Sequence, residues 1–377
     1  MSVNSLSQSE VYYAKAKIVE YGAVESIRLQ DQTIQTLFCR SLDRRNLDQC
    51  QLNLMIRGFD DKKNIQLQKG SIQKFHHHPT GISRGQLAEN FTITSYYKEI
   101  IVHFPDQRKE KLIAPSNPKI FAVGTNSFAF VCENQQAYFV RASQDVSFLT
   151  PIKIEIENSD ENPITAMSIE DCEGGASIKL LIGLDQGIVY EVLISENSLE
   201  TTQKDIGCQG LSSIRYIKDG WAVGGSFGLL YYDAKKESQY FIGNSPVTSL
   251  SVAKDLEKNE LLIAGQRNAI SLYAYNEGPF DQGFKSIRQL STKNTMNFGI
   301  QSVFIQNGLY ITSFSQDSIR ILFLAADVAR QHFLCSSKEG FMDSDYKDMS
   351  SYGNRTEVSL KSLKKISFGR NFSYQKL

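Results

Sequence analysis

Apolar residues in this chain fall into short runs separated by polar turns, and the runs come in pairs. LLIGLDQGIVYEVLI, from Leu180 to Ile194, shows the form: two apolar segments hinged on Asp185, Gln186 and Gly187. Gly takes the positive φ that a tight hairpin demands and that other residues resist, so the segment predicts a β-hairpin. The form recurs in WAVGGSFGLLYYDAKK from Trp221, LLIAGQRNAISLYAYN from Leu261 and LYITSFSQDSIRILFL from Leu309. In each, an apolar strand ends in a small residue, a polar turn follows, and a strand rich in Tyr, Ile or Leu returns.

Each hairpin is preceded by a matching strand: ITAMSI from Ile164, LSSIRYI from Leu211, VTSLSV from Val247 and IQSVFI from Ile300. A more polar fourth strand follows, such as ESQYFIG from Glu237. Gly187 and Gly228 lie 41 residues apart (187 to 228), the spacing of a four-stranded propeller blade, roughly 40–45 residues. Upstream, KIFAVGTNSFAFVCENQQAYFVRA from Lys119 turns at Glu133 to Gln136, and QLAENFTITSYYKEIIVHF from Gln86 turns at Tyr97 and Lys98. IQTLFCRSL through LDQCQLNLMIRGF adds a further hairpin, turning around Asp43 to Asn46. The chain therefore predicts an all-β fold, a single β-propeller of four-stranded blades. The count is seven blades, with six or eight as alternatives set by how the ends close.

Residues 1–335 carry the blades, and 336–377 read as a polar linker followed by TEVSLKSLKKISF, a closing strand of the same propeller. EVYYAKAKIVEY from Glu10 is the other candidate for closing the ring, which removes the unpaired edges an open one would expose. Ile182, Val189, Val223, Leu230, Ile263, Leu272, Ile311 and Ile321 are the expected core positions.

YYD at Tyr231 to Asp233 stands where a WD-repeat blade has Trp-Asp, while YEV at Tyr190 and YAY at Tyr273 keep only the aromatic. The chain resembles a divergent WD-repeat propeller. It has one Trp and no Gly-His pair before the second strands, so blade stability is expected to rest on apolar packing between sheets.

Chemistry-bearing motifs are few. In KFHHHPTG, His76 and His78 fall on one face of a strand, but sequence-adjacent histidines alone complete no coordination sphere, and Pro79 stops the strand. GGSFG at Gly224 sits between two strands, not before a helix, so it cannot present a helix terminus to phosphate. The carboxylates of EIENSDENP at Glu155 and DQGFKSIRQ at Asp281 fall between blades, as solvated loops. The six cysteines are scattered without a C-x-x-C pair and read as free, buried thiols. No catalytic, cofactor-binding or metal-ligating residue is assigned, no cofactor is expected, and the chain is not read as an enzyme. Asn276 to Gly299, the longest polar insert between blades, is the first candidate for a partner contact, with an ordinary variable loop as its equal.

Lys plus Arg is 41 and Asp plus Glu is 41, so no net field favours nucleic acid or an anionic membrane. The basic clusters DRR at Asp43, DQRKEKL at Asp106 and KSLKK at Lys361 read as solvated loops. MSVNSLSQSEVYYAKAK is too polar for a secretory signal, and no run of about 18 apolar residues could cross a bilayer. The expectation is a soluble intracellular protein without direct membrane insertion.

Three stretches carry a narrower likeness. SEVYYAKAKIVEY at Ser9, SIQKFHHHPTGI at Ser71 and TEVSLKSLKKISF at Thr356 resemble segments of the WD-repeat nucleoporins in the Y-shaped outer-ring complex of the nuclear pore. That resemblance implies a structural role at the pore in the nuclear envelope, and at kinetochores, through α-solenoid and propeller nucleoporins. The competing expectation is a substrate-recognition propeller of a ubiquitin ligase, or a similar peptide receptor.

Overall fold

The hairpins read from the sequence are paired strands in the computed structural model of the chain. The structure describes the backbone of the strands between residues 10 and 87. It describes residues 88–325 apart from 143–148, 173–176, 255–259, 277–282 and several shorter breaks, and also the pair 356–357. Its described residues contain no helix.

Among the described residues the strands fall into seven sheets. The pattern is clearest where Leu211–Ile217, Gly220–Gly225, Gly228–Asp233 and Ser238–Gly243 pair antiparallel in sequence order. Ile164–Asp171, Ile178–Leu184, Ile188–Ile194 and Leu199–Asp205 do the same. So do the sheets that begin at Ser83–Leu87 and Pro118–Val123. The first strand of each sheet is innermost and faces its counterpart in the next. The order is Ser26–Gln30, Ser83–Leu87, Pro118–Val123, Ile164–Asp171, Leu211–Ile217, Val247–Lys254, Gly299–Ile305 and back to Ser26–Gln30. The sheets therefore form a closed ring around a central channel.

Burial falls from the middle of each sheet to its outer edge. Every residue of Ser127–Cys132 and of Gly228–Asp233 is buried, whereas Leu199–Asp205 is exposed almost throughout. Central strands are covered on both faces by neighbouring sheets, so they read as continuous apolar runs rather than as alternation. Successive side chains still diverge to opposite faces. Leu180 and Ile182 pack against Val131, Phe139 and Ile164 on one side, while Leu181 packs with Leu211, Trp221 and Leu230 on the other. The core is thus a series of layers between sheets, each fully buried aliphatic or aromatic side chain contributing roughly 1.5–3 kcal/mol. Of the expected core positions, Ile182, Val189, Val223, Leu230, Ile263, Leu272 and Ile311 are buried; the side chain of Ile321 lies outside the described residues.

A repeated device sets the sheets at their spacing. The innermost strands of three consecutive sheets carry a bulge at their second residue, between Ile164 and Ala166, Leu211 and Ser213, and Val247 and Ser249. The bulged residues are Thr165, Ser212 and Thr248. Their hydroxyls donate to the carbonyls of Gly183 (3.4 Å), Gly224 (3.1 Å) and Gly265 (3.1 Å). The absent side chains of those glycines leave holes that the first or second residue of the next sheet's innermost strand fills. A Cβ on Gly183 would lie 2.8 Å from Leu211, one on Gly224 2.4 Å from Val247, and one on Gly265 2.7 Å from Ile300. This is the physical content of the small residue that ends each second strand.

One reading is corrected. The polar insert Asn276 to Gly299 is mostly strand: Gly283–Met296 pairs with the second half of Glu260–Asn276 as the outermost strand of its sheet. An outer strand has one uncovered edge and an exposed face, so its composition matches that of a loop. Glu260–Asn276 pairs by its first half with Val247–Lys254, and the halves meet at Asn268, whose φ is 67°.

Described segments far apart in the chain meet in the last sheet. Gly299–Ile305, Gly308–Phe314 and Ser318–Ala325 are followed in space by Glu10–Lys15, antiparallel to Ser318–Ala325 with Val11 opposite Leu322. Thr356–Glu357 lies parallel to Glu10 and Val11. The rest of TEVSLKSLKKISF, with Lys361 to Lys365, lies outside the described residues.

Candidate interaction surfaces

At one end of the ring, the hairpin turn at Asp185 to Gly187 is tied both to the loop entering its own sheet and to the loop entering the next. Asp185 N donates to Pro163 O (3.0 Å), Gln186 N to Asn162 Oδ1 (2.9 Å), and Gly210 N to Asp185 O (2.7 Å). Gly187 has φ 85°, and a Cβ there would lie 2.0 Å from Cys208 O. This face is a set of short, mutually bonded turns.

Polar contacts between sheets stand where the WD network is missing. The Asp171 carboxylate accepts from Thr125 N and Ser127 Oγ of the preceding sheet. Trp221 stacks on Tyr232 with ring centroids 4.5 Å apart, and its Nε1 donates to the Glu191 carboxylate of the neighbouring sheet. Lys218 N donates to Glu260, and Ser251 Oγ lies 2.8 Å from Ser302 Oγ. Apolar packing holds the blades as expected, but these ties fix their register. Asp233, at the WD position, is buried and caps its own turn by accepting from Lys235 N (3.0 Å) and Lys236 N (3.1 Å).

The motifs of chemical interest disperse. His76 and His78 belong to the strand Ile72–His78, with side chains outside the described residues. His103 Nε2 is bonded to Thr94 Oγ1 (2.9 Å) within its own sheet. Among the described residues no group of three or more His, Cys, Asp or Glu could hold a metal ion. GGSFG spans a hairpin turn ending at Gly228, φ 110°. In DQRKEKL, Arg108 pairs with Glu110 (3.5 Å) and covers the Phe104 ring at 4.1 Å, and Lys111 pairs with Glu99. That cluster is neutralised locally. Asp281 and the side chains of the DRR stretch lie outside the described residues. Among the cysteines, Cys132 is buried and its thiol pKa is pushed up by desolvation; Cys172 and Cys208 are half-buried.

Two features escaped sequence reasoning. The perimeter carries exposed apolar side chains on outer strands, foremost Tyr240 (42 %) and Phe241 (56 %) on Ser238–Gly243, with Ile113, Ile152 and Leu199 on other sheets. Their signal was an apolar pair inside an otherwise polar outer strand. The second is Arg215 on the innermost strand Leu211–Ile217. Burial alone lowers its pKa to about 10, and the signal was one cation in a strand of hydroxyl and apolar residues.

No family model matches the chain, and no curated protein matches it. Solved structures do. A chain in the crystal structure of a mitotic checkpoint complex is 9 % identical, with 86 % of this chain and 95 % of that chain covered and a TM-score of 0.57. The β-propeller domain of Cps50 (Swd1) from Myceliophteria thermophila is 11 % identical, with 82 % and 99 % covered and a TM-score of 0.52. A chain in the crystal structure of BBS1N in complex with ARL6DN is 11 % identical, with 82 % and 94 % covered and a TM-score of 0.55. The chain is a β-propeller. At these identities the likeness speaks for the fold alone, and the propeller's bonded turns, channel and perimeter are the surfaces on which a function must be built.

Proposed function

We propose that this propeller is a non-catalytic, WD40-like scaffold that holds partner proteins on its rims and perimeter within a large assembly. One observation carries the reading. Arg215 apart, the polar and titratable groups described above are committed to turns, inter-sheet ties and local ion pairs, whereas large apolar side chains stand exposed on outer strands, with Phe241 56 % exposed. Exposed aromatics on a rigid frame suit protein contacts. The structural neighbours titled as a mitotic checkpoint complex and as BBS1N in complex with ARL6DN support the same role for this fold.

We further propose a seven-bladed ring, with residues 336–377 as a polar linker and closing strand, and a place in the outer ring of the nuclear pore at the nuclear envelope. The seven sheets support the blade number. The three stretches at Ser9, Ser71 and Thr356 support the nucleoporin reading, with α-solenoid and propeller nucleoporins as partners. Affinity purification of the tagged protein from its native cells at two salt concentrations, followed by mass spectrometry, tests it. Outer-ring nucleoporins recovered in near-equal amounts at both salts are the expected result. Ligase subunits, or nothing surviving the high-salt wash, would replace the pore scaffold with the peptide-receptor reading.

A further inference from the structure

The innermost strands carry a charge excess in sequence that the chain as a whole lacks. The innermost strands hold Arg28, Arg84, Lys119, Arg215 and Lys254 against Glu170 and Asp171, five cations to two anions, in a chain with 41 of each sign. Several of these are spoken for. Asp171 is bonded to Thr125 and Ser127, and Lys254 pairs with Glu260 at 2.8 Å.

Arg215 is not neutralised. Its Nη1 donates to its own strand's Ile214 O (2.7 Å) and crosses to Met167 O (3.3 Å) on the neighbouring innermost strand. The guanidinium thus lies along the inner edges of two adjacent sheets. Among the described residues it has no carboxylate partner, and its Nε and Nη2 have no acceptor, yet the side chain keeps some solvent contact. A guanidinium offers five donors in a planar fork that matches the oxygens of carboxylate and phosphate groups. Here Nη1 is held by two carbonyls, which leaves Nε and Nη2 as the remaining donors of a half-buried side chain. A half-buried charge left without a counter-ion carries a desolvation cost, and an anion arriving there relieves it.

We propose that the central channel is an oxyanion site, in which Arg215 presents its open donors to a carboxylate or phosphate group. The site does not depend on the scaffold reading. The test is calorimetric titration of the full chain with inorganic phosphate and, separately, with a glutamate-rich hexapeptide at one ionic strength. Saturable binding of one equivalent of either probe is expected, abolished in R215Q and weakened roughly tenfold or more in R215K, which keeps the charge and loses the fork. Phosphate binding identifies a small free anion as the occupant; binding of the peptide alone identifies an acidic protein segment. No saturable binding of either probe to the wild-type chain overturns the proposal. Equal affinity in folded R215Q or in R215K also overturns it, so the proposal stays testable if R215Q fails to fold.

Discussion

Gly224 and Val247 meet at a hole made by a missing side chain, and the contact can be tested by filling it. A methyl at Gly224 would stand 2.4 Å from Val247 Cγ1, so Gly224→Ala must push one sheet from the next. Overpacking of this kind costs roughly 1–3 kcal/mol. Urea denaturation should show that loss in G224A and a smaller combined loss in G224A/V247A than the sum of the two single changes, because the residues share one site. A second test at this scale uses pH. The Tyr231 hydroxyl donates to Lys218 O (2.7 Å) in a buried site, and burial, with the Asp233 carboxylate nearby, holds the phenol protonated far above the ordinary tyrosine range. Below about pH 10 both folded and unfolded chains keep the proton. Above it the unfolded chain alone releases it, so stability falls with rising pH by about 1.4 kcal/mol per unit from this residue. Urea titrations between pH 9 and 11 should give a mean slope shallower in Y231F by about half that amount, roughly 0.7 kcal/mol per unit, because the unfolded tyrosine is only half deprotonated at its pKa of about 10. Arg215 acts in the opposite sense, since its lowered pKa of about 10 makes the unfolded chain hold the extra proton above that pH.

Strands differ in how plainly the sequence announces them, and the difference follows burial. Second and third strands were legible because both faces are covered: Ile178–Leu184 and Ile188–Ile194 are apolar almost throughout, and Gly187 marks the turn between them. Outer strands were less so: ESQYFIG was read as one and is Ser238–Gly243, but solvent covers one edge and much of one face of such strands, and Gly283–Met296 passed for a loop. The bulge device was half legible. The pairs Ile164-Thr165, Leu211-Ser212 and Val247-Thr248 repeat in sequence, but only the register shows that their hydroxyls reach Gly carbonyls. Arg215 showed only as one cation in a strand of hydroxyl and apolar residues, and a single strand does not report that its guanidinium crosses to Met167 O of the neighbouring sheet. The contrast between strand positions predicts opposite outcomes for one type of substitution. Phe241→Asp, on an outer strand, should leave stability within about 0.5 kcal/mol of the original and reduce partner recovery in the affinity purification. Leu230→Asp, fully buried between sheets, should cost roughly 3–5 kcal/mol by chemical denaturation.

For the whole molecule, the decisive contact joins residues far apart in the chain. Removal of residues 1–21 takes away Glu10–Lys15 and leaves the outer edge of Ser318–Ala325 unpaired. Unpaired edges recruit other strands, so the truncated chain should melt earlier than the full one and show dimers or larger species by light scattering on a sizing column. An unchanged midpoint and a monomeric profile would show that the ring holds without its first strand. The same pairing has a consequence in time. Val11 waits for Leu322, so a strand made early finds its place only after about 300 further residues have followed it, and closing so long a loop is slow. Until Ser318–Ala325 is made, the growing chain exposes a strand that only that segment can cover. A frameshift or a nonsense codon shortly before Ser318 would therefore release a nearly complete ring with two sticky ends, a species that quality-control factors should meet more often than the full-length chain.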